Sequence, residues 1–122
     1  MYFSERTCSD VLLEKIKIYD ESDNVNSFIY KQNAYWLDKS ARNGLRNLLN
    51  ANVEYVDLVL DDIIITLNKS DLTDFLNSLE IYANKCYVCT HKHLIEAKKL
   101  ETKKDIINYD YTTGYPEKVI LE

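Results

Sequence analysis

Glycine and proline are almost missing from this sequence, with two and one occurrences in 122 residues. That leaves too few for a phosphate-cradling loop, a dinucleotide-binding fingerprint or a proline-rich linker. No apolar run approaches the roughly 18–20 residues that a membrane-spanning helix needs. The opening Met1-Tyr2-Phe3-Ser4-Glu5-Arg6 has neither the basic start nor the apolar stretch of a secretory signal. Cysteine is scarce and odd in number: Cys8, Cys86 and Cys89. Reduced thiols in a cytosolic compartment are expected, not a disulfide framework. Positive charge is in deficit, with 15 Lys and Arg against 20 Asp and Glu. A net charge of -5 argues against nucleic acid as the partner. The cluster Lys92, Lys98, Lys99, Lys103 and Lys104 is read as a solvated helix face that offsets the negative end of the helix dipole.

What is present is ordinary for a folded domain: 46% hydrophobic and 29% charged residues, which excludes wholesale disorder. At this length one domain is expected over 1–122. Residues 1–33 are read as an N-terminal strand or attachment segment ahead of the remainder, 34–122. In Val11–Tyr19, Leu12, Ile16 and Ile18 fall on one face and Lys15 and Lys17 on the other, which predicts a strand. A second strand is predicted from Ser27 to Leu37, joined through the acidic stretch Asp20–Asn24. Asp38 then caps a helix to Asn50, with Ala41, Leu45, Leu48 and Leu49 as its apolar stripe. Gly44 costs that helix about 1 kcal/mol against alanine, and close backbone packing would be one reason to keep it. Glu54 to Asn68 reads as a hairpin turning at Asp61-Asp62, and the run Ile63-Ile64-Ile65 as a strand covered on both faces.

Ser70 is the expected cap of the longest element, a helix over about 71–101, roughly 46 Å long at 1.5 Å per residue. Its stripe runs through Leu72, Phe75, Leu76, Leu79, Ala83, Cys86, Thr90, Leu94 and Ala97. Ile81, Val88 and Ile95 recur every seven residues about 140–180° away, so they form a second stripe and a candidate interface. A short helical turn is expected near 104–109, then a turn-rich tail. Val119-Ile120-Leu121 in that tail is expected to pair as an edge strand, on the hairpin or on a neighbour's sheet. The fold class is α+β: N-terminal strands, a helix, a β-hairpin and a long C-terminal helix.

Cys86-x-x-Cys89-x-His91-x-His93 is the string closest to chemistry. Zinc takes thiolate and imidazole in a tetrahedron. On a helix, Cys86, Cys89 and His93 share a face about 60° wide while His91 points elsewhere. No second cluster completes the set, so no metal is expected. A Cys89–His93 nucleophile pair is one turn apart but has no glycine loop to serve as an oxyanion hole, so no catalytic residue and no cofactor are assigned. The Asp61-Asp62 pair and the Asp20–Asp23 cluster do not match the spaced calcium loop and are read as polar turns. Ten tyrosines are a conspicuous excess. Tyr109, Tyr111 and Tyr115 in the tail join the candidate interface, since tyrosine pairs a large apolar area with a hydrogen-bonding tip; Tyr2, Tyr19, Tyr30 and Tyr35 lie in the first third.

Several strings in order carry a resemblance. They are Ala34-Tyr35-Trp36-Leu37-Asp38-Lys39, the hairpin, Ser78-Leu79-Glu80-Ile81-Tyr82-Ala83, Cys86-Tyr87-x-x-Thr90-x-x-His93, and Tyr109-Asp110-Tyr111-Thr112-Thr113-Gly114-Tyr115-Pro116-Glu117-Lys118. Over about residues 34–120 the chain resembles an uncharacterised domain of bacteriophage tail-fibre and tail-assembly proteins. That resemblance implies a non-enzymatic virion or tail-assembly component, such as a ring, adaptor or fibre-attachment part. It would be homo-oligomeric in the particle and act by contact with other tail or connector proteins, without nucleic acid or membrane. Its location would be the virion tail, and the host cytoplasm during assembly. An acidic phage-encoded inhibitor or host-interaction protein is the alternative, and a small zinc or thiol enzyme a further one. Elemental analysis of protein purified without chelator should find no stoichiometric zinc; one zinc per chain, lost on Cys86→Ala, would contradict this.

Overall fold

Three of the expected elements form where periodicity and end signals agree. A computed structural model of the chain describes residues 5–122, with side chains from Cys8 onward. Its order is α1 (Glu5–Glu21), β1 (Phe28–Tyr30), β2 (Asn33–Tyr35), α2 (Lys39–Asn50), β3 (Tyr55–Leu60), β4 (Ile63–Asn68), α3 (Lys69–Lys98), α4 (Lys103–Asn108) and β5 (Ile120–Leu121). The α+β class holds. The chain forms two compact units: Met1–Asn26 with Ala83–Pro116, and Ser27–Tyr82 with Glu117–Glu122. The helix α3 contributes residues to both. A boundary drawn between residues 33 and 34 falls inside β2. Tyr2 lies outside the described residues.

The unit of Ser27–Tyr82 and Glu117–Glu122 is built on the first half of α3. Leu72, Leu76 and Leu79 are fully buried there with Phe28, Leu37, Leu49, Val56, Leu58 and Leu60. Phe75 meets Phe28 edge-on at 4.9 Å between ring centres. Strands β3 and β4 pair antiparallel with Leu60 opposite Ile63, and Asp61 takes φ 46° in the turn. Along β3, buried Val56, Leu58 and Leu60 alternate with exposed residues, as the sequence predicts. The strand β4 departs from expectation. Ile63 and Ile65 are half-buried but Ile64 is exposed, so the triple isoleucine is not covered on both faces. Asn68, not Ser70, caps α3, its Oδ1 accepting from the Asp71 N–H at 2.7 Å.

Between Ser27 and Leu37 the chain is not one strand but a hairpin. Lys31 and Gln32 take φ 47° and 68°, so β1 folds straight back on β2. Positive φ at both central residues is what a twisted two-residue hairpin requires, and the usual Asn-Gly signal is absent. The tail strand β5 pairs parallel with β1, Ile29 opposite Ile120, and completes a three-stranded sheet. The expected pairing of 119–121 is therefore realised within the chain, on β1 and not on the β3–β4 hairpin.

Asp38 caps α2 as predicted, accepting from the Ala41 N–H at 2.8 Å. The buried stripe of α2 is different, however. Leu49 is buried, but Ala41 and Leu48 are exposed and Arg42 is buried in their place. Arg42 Nε donates to Glu80 Oε1 at 2.6 Å, its Nη1 to the Leu37 carbonyl at 2.6 Å, and its guanidinium stacks over Trp36. A buried charge is stable only when so paired and hydrogen-bonded.

In the unit of Met1–Asn26 and Ala83–Pro116 the first element is a helix, not a strand. Leu12 and Ile16, four residues apart, satisfy both the strand and the helix period. Cys8, also four residues earlier, and the helix-favouring Glu and Lys residues extend the helical register. Ile18, assigned to the buried face of the strand, is 59% exposed. Leu12 and Ile16 pack with Ala97 of α3 and Ile106 of α4. Ser22 and Asn26 close α1: Ser22 Oγ donates to the Tyr19 carbonyl, and Asn26 Nδ2 to those of Asp20 and Ser22. Thr102 caps α4 through the Asp105 N–H.

Gly44 corrects another expectation, because a Cβ there would meet nothing within 4 Å. It packs against no backbone and costs the helix only entropy. Gly44→Ala should raise thermal stability by roughly 0.5–1 kcal/mol, read from denaturation midpoints; a loss of stability would contradict the open space.

Candidate functional site

The second half of α3 carries the Cys/His string, and the tail folds onto it. Two helical turns bring Cys86, Cys89, Thr90 and His93 into the buried face, while His91 stays exposed against the Tyr87 ring. His93 is engaged at both nitrogens. Its Nε2 lies 2.7 Å from the Thr113 carbonyl, and its Nδ1 lies 2.6 Å from the Tyr109 hydroxyl. A carbonyl only accepts, so Nε2 carries a proton and donates to Thr113, while Nδ1 shares a hydrogen bond with the Tyr109 hydroxyl. Two points of the aperiodic tail are thereby tied to one imidazole.

One turn earlier Thr90 repeats the device. Its hydroxyl donates to Asp20 Oδ1 at 2.7 Å, so the Tyr115 O–H, also 2.7 Å away, donates to Thr90. The rings close the arrangement: Tyr19 packs on Tyr111 and Tyr115, and His93 stacks on Tyr115 at 5.9 Å. Gly114 takes φ 85°, where an added Cβ would also meet Cys89 Sγ at 3.4 Å. Among the described residues no buried side-chain nitrogen or oxygen lacks a partner.

These surroundings set the chemistry. Burial pushes the Cys89 thiol up, and the Tyr109 and Tyr115 hydroxyls with it. The Thr112 hydroxyl and N–H hold Asp110 below its ordinary value. Cys89 Sγ donates to the same Thr113 carbonyl that receives His93 Nε2, so neither group is aimed at the other. No three His, Cys, Asp or Glu side chains converge as a metal set among the described residues. What the arrangement does is hold the tail in place.

The candidate interface residues therefore separate. Tyr109, Tyr111 and Tyr115 are half-buried inside the unit, and the first and last have their hydroxyls engaged there. Ile81, Val88 and Ile95 are 58%, 42% and 54% exposed. Beside Val88 lies an open groove of about 620 Å³ lined by Lys85, Lys92, Thr113 and Pro116. An apolar cavity of about 310 Å³ between α1 and α4 is lined by Cys8, Val11, Leu12, Ile107 and Tyr111. Sequence reasoning missed this cavity, because assigning α1 as a strand hid the pairing of the two helices. No helix among the described residues is long and apolar enough to cross a membrane. No family model, no curated protein and no solved structure matches the chain.

His93→Phe should lower stability by roughly 1–3 kcal/mol and Tyr109→Phe by about 1, with the double variant losing less than the sum because the two share one bond. Strict additivity would contradict the shared bond. The raised groups keep their protons longer folded than unfolded. Their contribution is thus full at neutral pH and falls as pH rises past the ordinary Cys and Tyr values, about 8.5 and 10. Asp110 acts oppositely, its contribution disappearing as pH falls through its depressed value. Denaturation midpoints measured against pH should decline on the alkaline side; a flat alkaline limb would contradict this.

Proposed function

We propose that this chain is a bacteriophage virion structural or tail-assembly protein, a ring, adaptor or fibre-attachment component that acts by protein–protein contact. The order of strings over residues 34–120 supports the phage assignment. The exposure of Val88 and Ile95, seven residues apart on one helix, carries the mode of action. Apolar side chains at that spacing present a seam to another surface, and each one buried there stabilises by roughly 1.5–3 kcal/mol. The Lys85 and Lys92 groove beside Val88 offers a rim of complementary charge to acidic surfaces, including those of an acidic homologous subunit. In this reading the partners are other tail or connector proteins and further copies of the chain. Its place is the tail, and the host cytoplasm during assembly.

The test is native mass spectrometry of the chain alone and with tail components, for the wild type and Val88→Glu. The wild type should give discrete assemblies. Val88→Glu should weaken them by one order of magnitude or more, about 1.4 kcal/mol per tenfold, with unchanged circular dichroism of the single chain. Assemblies that survive Val88→Glu unchanged would overturn the assignment of this face.

A further inference from the structure

Along α3 the exposed aliphatic residues alternate with lysines. Lys85, Val88, Lys92 and Ile95 recur at spacings of three and four, so they share one face within about 80° of arc. Lys85 and Lys92 stand on either side of Val88, roughly 10.5 Å apart along the axis at 1.5 Å per residue. All three line the open groove of about 620 Å³, whose walls hold no carboxylate. The acid beside them on this face, Glu96, is paired with Lys99 at 3.3 Å. The outward face of the β3–β4 hairpin has the opposite pattern. Val59 and Ile64 stand opposite each other across the strands and are 63% and 68% exposed. Asp61 and Asp62 lie at one end of this pair and Asp57 at the other, all three exposed. From Asp57 to Asp61 the chain advances about 13 Å at roughly 3.3 Å per residue. Asp57 accepts the Thr66 hydroxyl on Oδ1 alone, which leaves Oδ2 for a further donor. Among the described residues, Asp57, Asp61, Asp62, Lys85 and Lys92 make no ion pair.

We propose that the outward hairpin face of one copy of this chain seats on the Lys85–Val88–Lys92 face of a second copy. This pairing depends on the α3 face being the contact surface proposed above, and it names the occupant. Acid, aliphatic and acid meet base, aliphatic and base. Val59 and Ile64 cover Val88, while the two lysines reach the carboxylates at either end. Flexible lysine stems take up the difference of about 2–3 Å between the two spacings. Both ends of each pattern carry one sign, so the match does not depend on which way the hairpin lies. The other acidic stretch, Asp20–Asp23, offers no such surface: it encloses no aliphatic side chain, and Asp20 is already bound to the Thr90 hydroxyl. Burial of the aliphatic residues supplies the attraction, and the charges select the face. The joined surfaces are unlike, so each pair leaves one hairpin and one groove unused. Association therefore runs head to tail, the kind of contact that builds rings and filaments.

Sedimentation velocity of the full chain tests this by charge reversal. Lys85→Glu with Lys92→Glu, and separately Asp57→Lys with Asp62→Lys, change exposed side chains only. Each double variant should associate roughly tenfold or more weakly than the wild type at low salt. Mixed in equal amounts, the two should associate again, because each hairpin then finds a groove of opposite charge on the other chain. Asp62→Lys alone keeps the Asp57–Thr66 bond and should give a smaller loss in the same direction. Wild-type association should also fall roughly tenfold as salt is raised to about 1 M, where the screening length is about 3 Å. A wild type that stays monomeric at its highest soluble concentration would overturn the second copy as occupant. The α3 face would then be decided separately, by Val88→Glu in mixtures with tail components. Association indifferent to both reversals, or not recovered in the mixture, would equally overturn the pairing.

Discussion

A single helix imposes the constraint from which the other elements follow. At 30 residues α3 is about 45 Å long, and a buried stripe runs along it from Leu72 to Ala97. Each compact unit is the cover for its own part of that stripe. In one, a two-stranded hairpin, the helix α2 and a small three-stranded sheet enclose Leu72, Leu76 and Leu79. In the other, α1 and α4 enclose Ala97, and the tail encloses Cys89, Thr90 and His93. With so little glycine and proline, the turns between these elements rely on polar residues in left-handed conformations: Lys31, Gln32, Asn52 and Asp61.

The tail illustrates how a segment without periodicity is held. Residues 109–116 form no regular element, yet two buried polar side chains on α3, Thr90 and His93, fix them through hydrogen bonds. Thr90 and His93 are placed three residues apart, so they address Tyr115 and Tyr109 from adjacent turns of one face. The tyrosine excess in the tail is thus in large part an intramolecular device. The association we propose is then left to the aliphatic residues of the opposite face, Val88 and Ile95.

How much of this was legible in the sequence depended on the range of the interactions. The helix α2, the β3–β4 hairpin and α3 were readable because local end signals, Asp38 and Asp61-Asp62, coincide with long periodic runs. The helix α1 was not, since Leu12 and Ile16 fit two periods and only Ala97 and Ile106, far along the chain, decide between them. Burial of Arg42 depends on Glu80, 38 residues away, and that of His93 on Tyr109 and Thr113. The turn at Lys31-Gln32 carries no compositional signal at all. The exposed residues Ile81, Val88 and Ile95 were legible because the helical period alone places them away from Leu72.

The proposed association through α3 is tested most directly at the methyl groups themselves. Isoleucine and valine methyls can be labelled and their relaxation by a soluble paramagnetic agent recorded for the free chain and for the chain mixed with tail components. Val88 and Ile95 should relax strongly in the free chain and become shielded in the assembly, while Ile16 and Val56 stay shielded in both. Methyls of Val88 and Ile95 that remain fully accessible in an assembled particle would contradict the account.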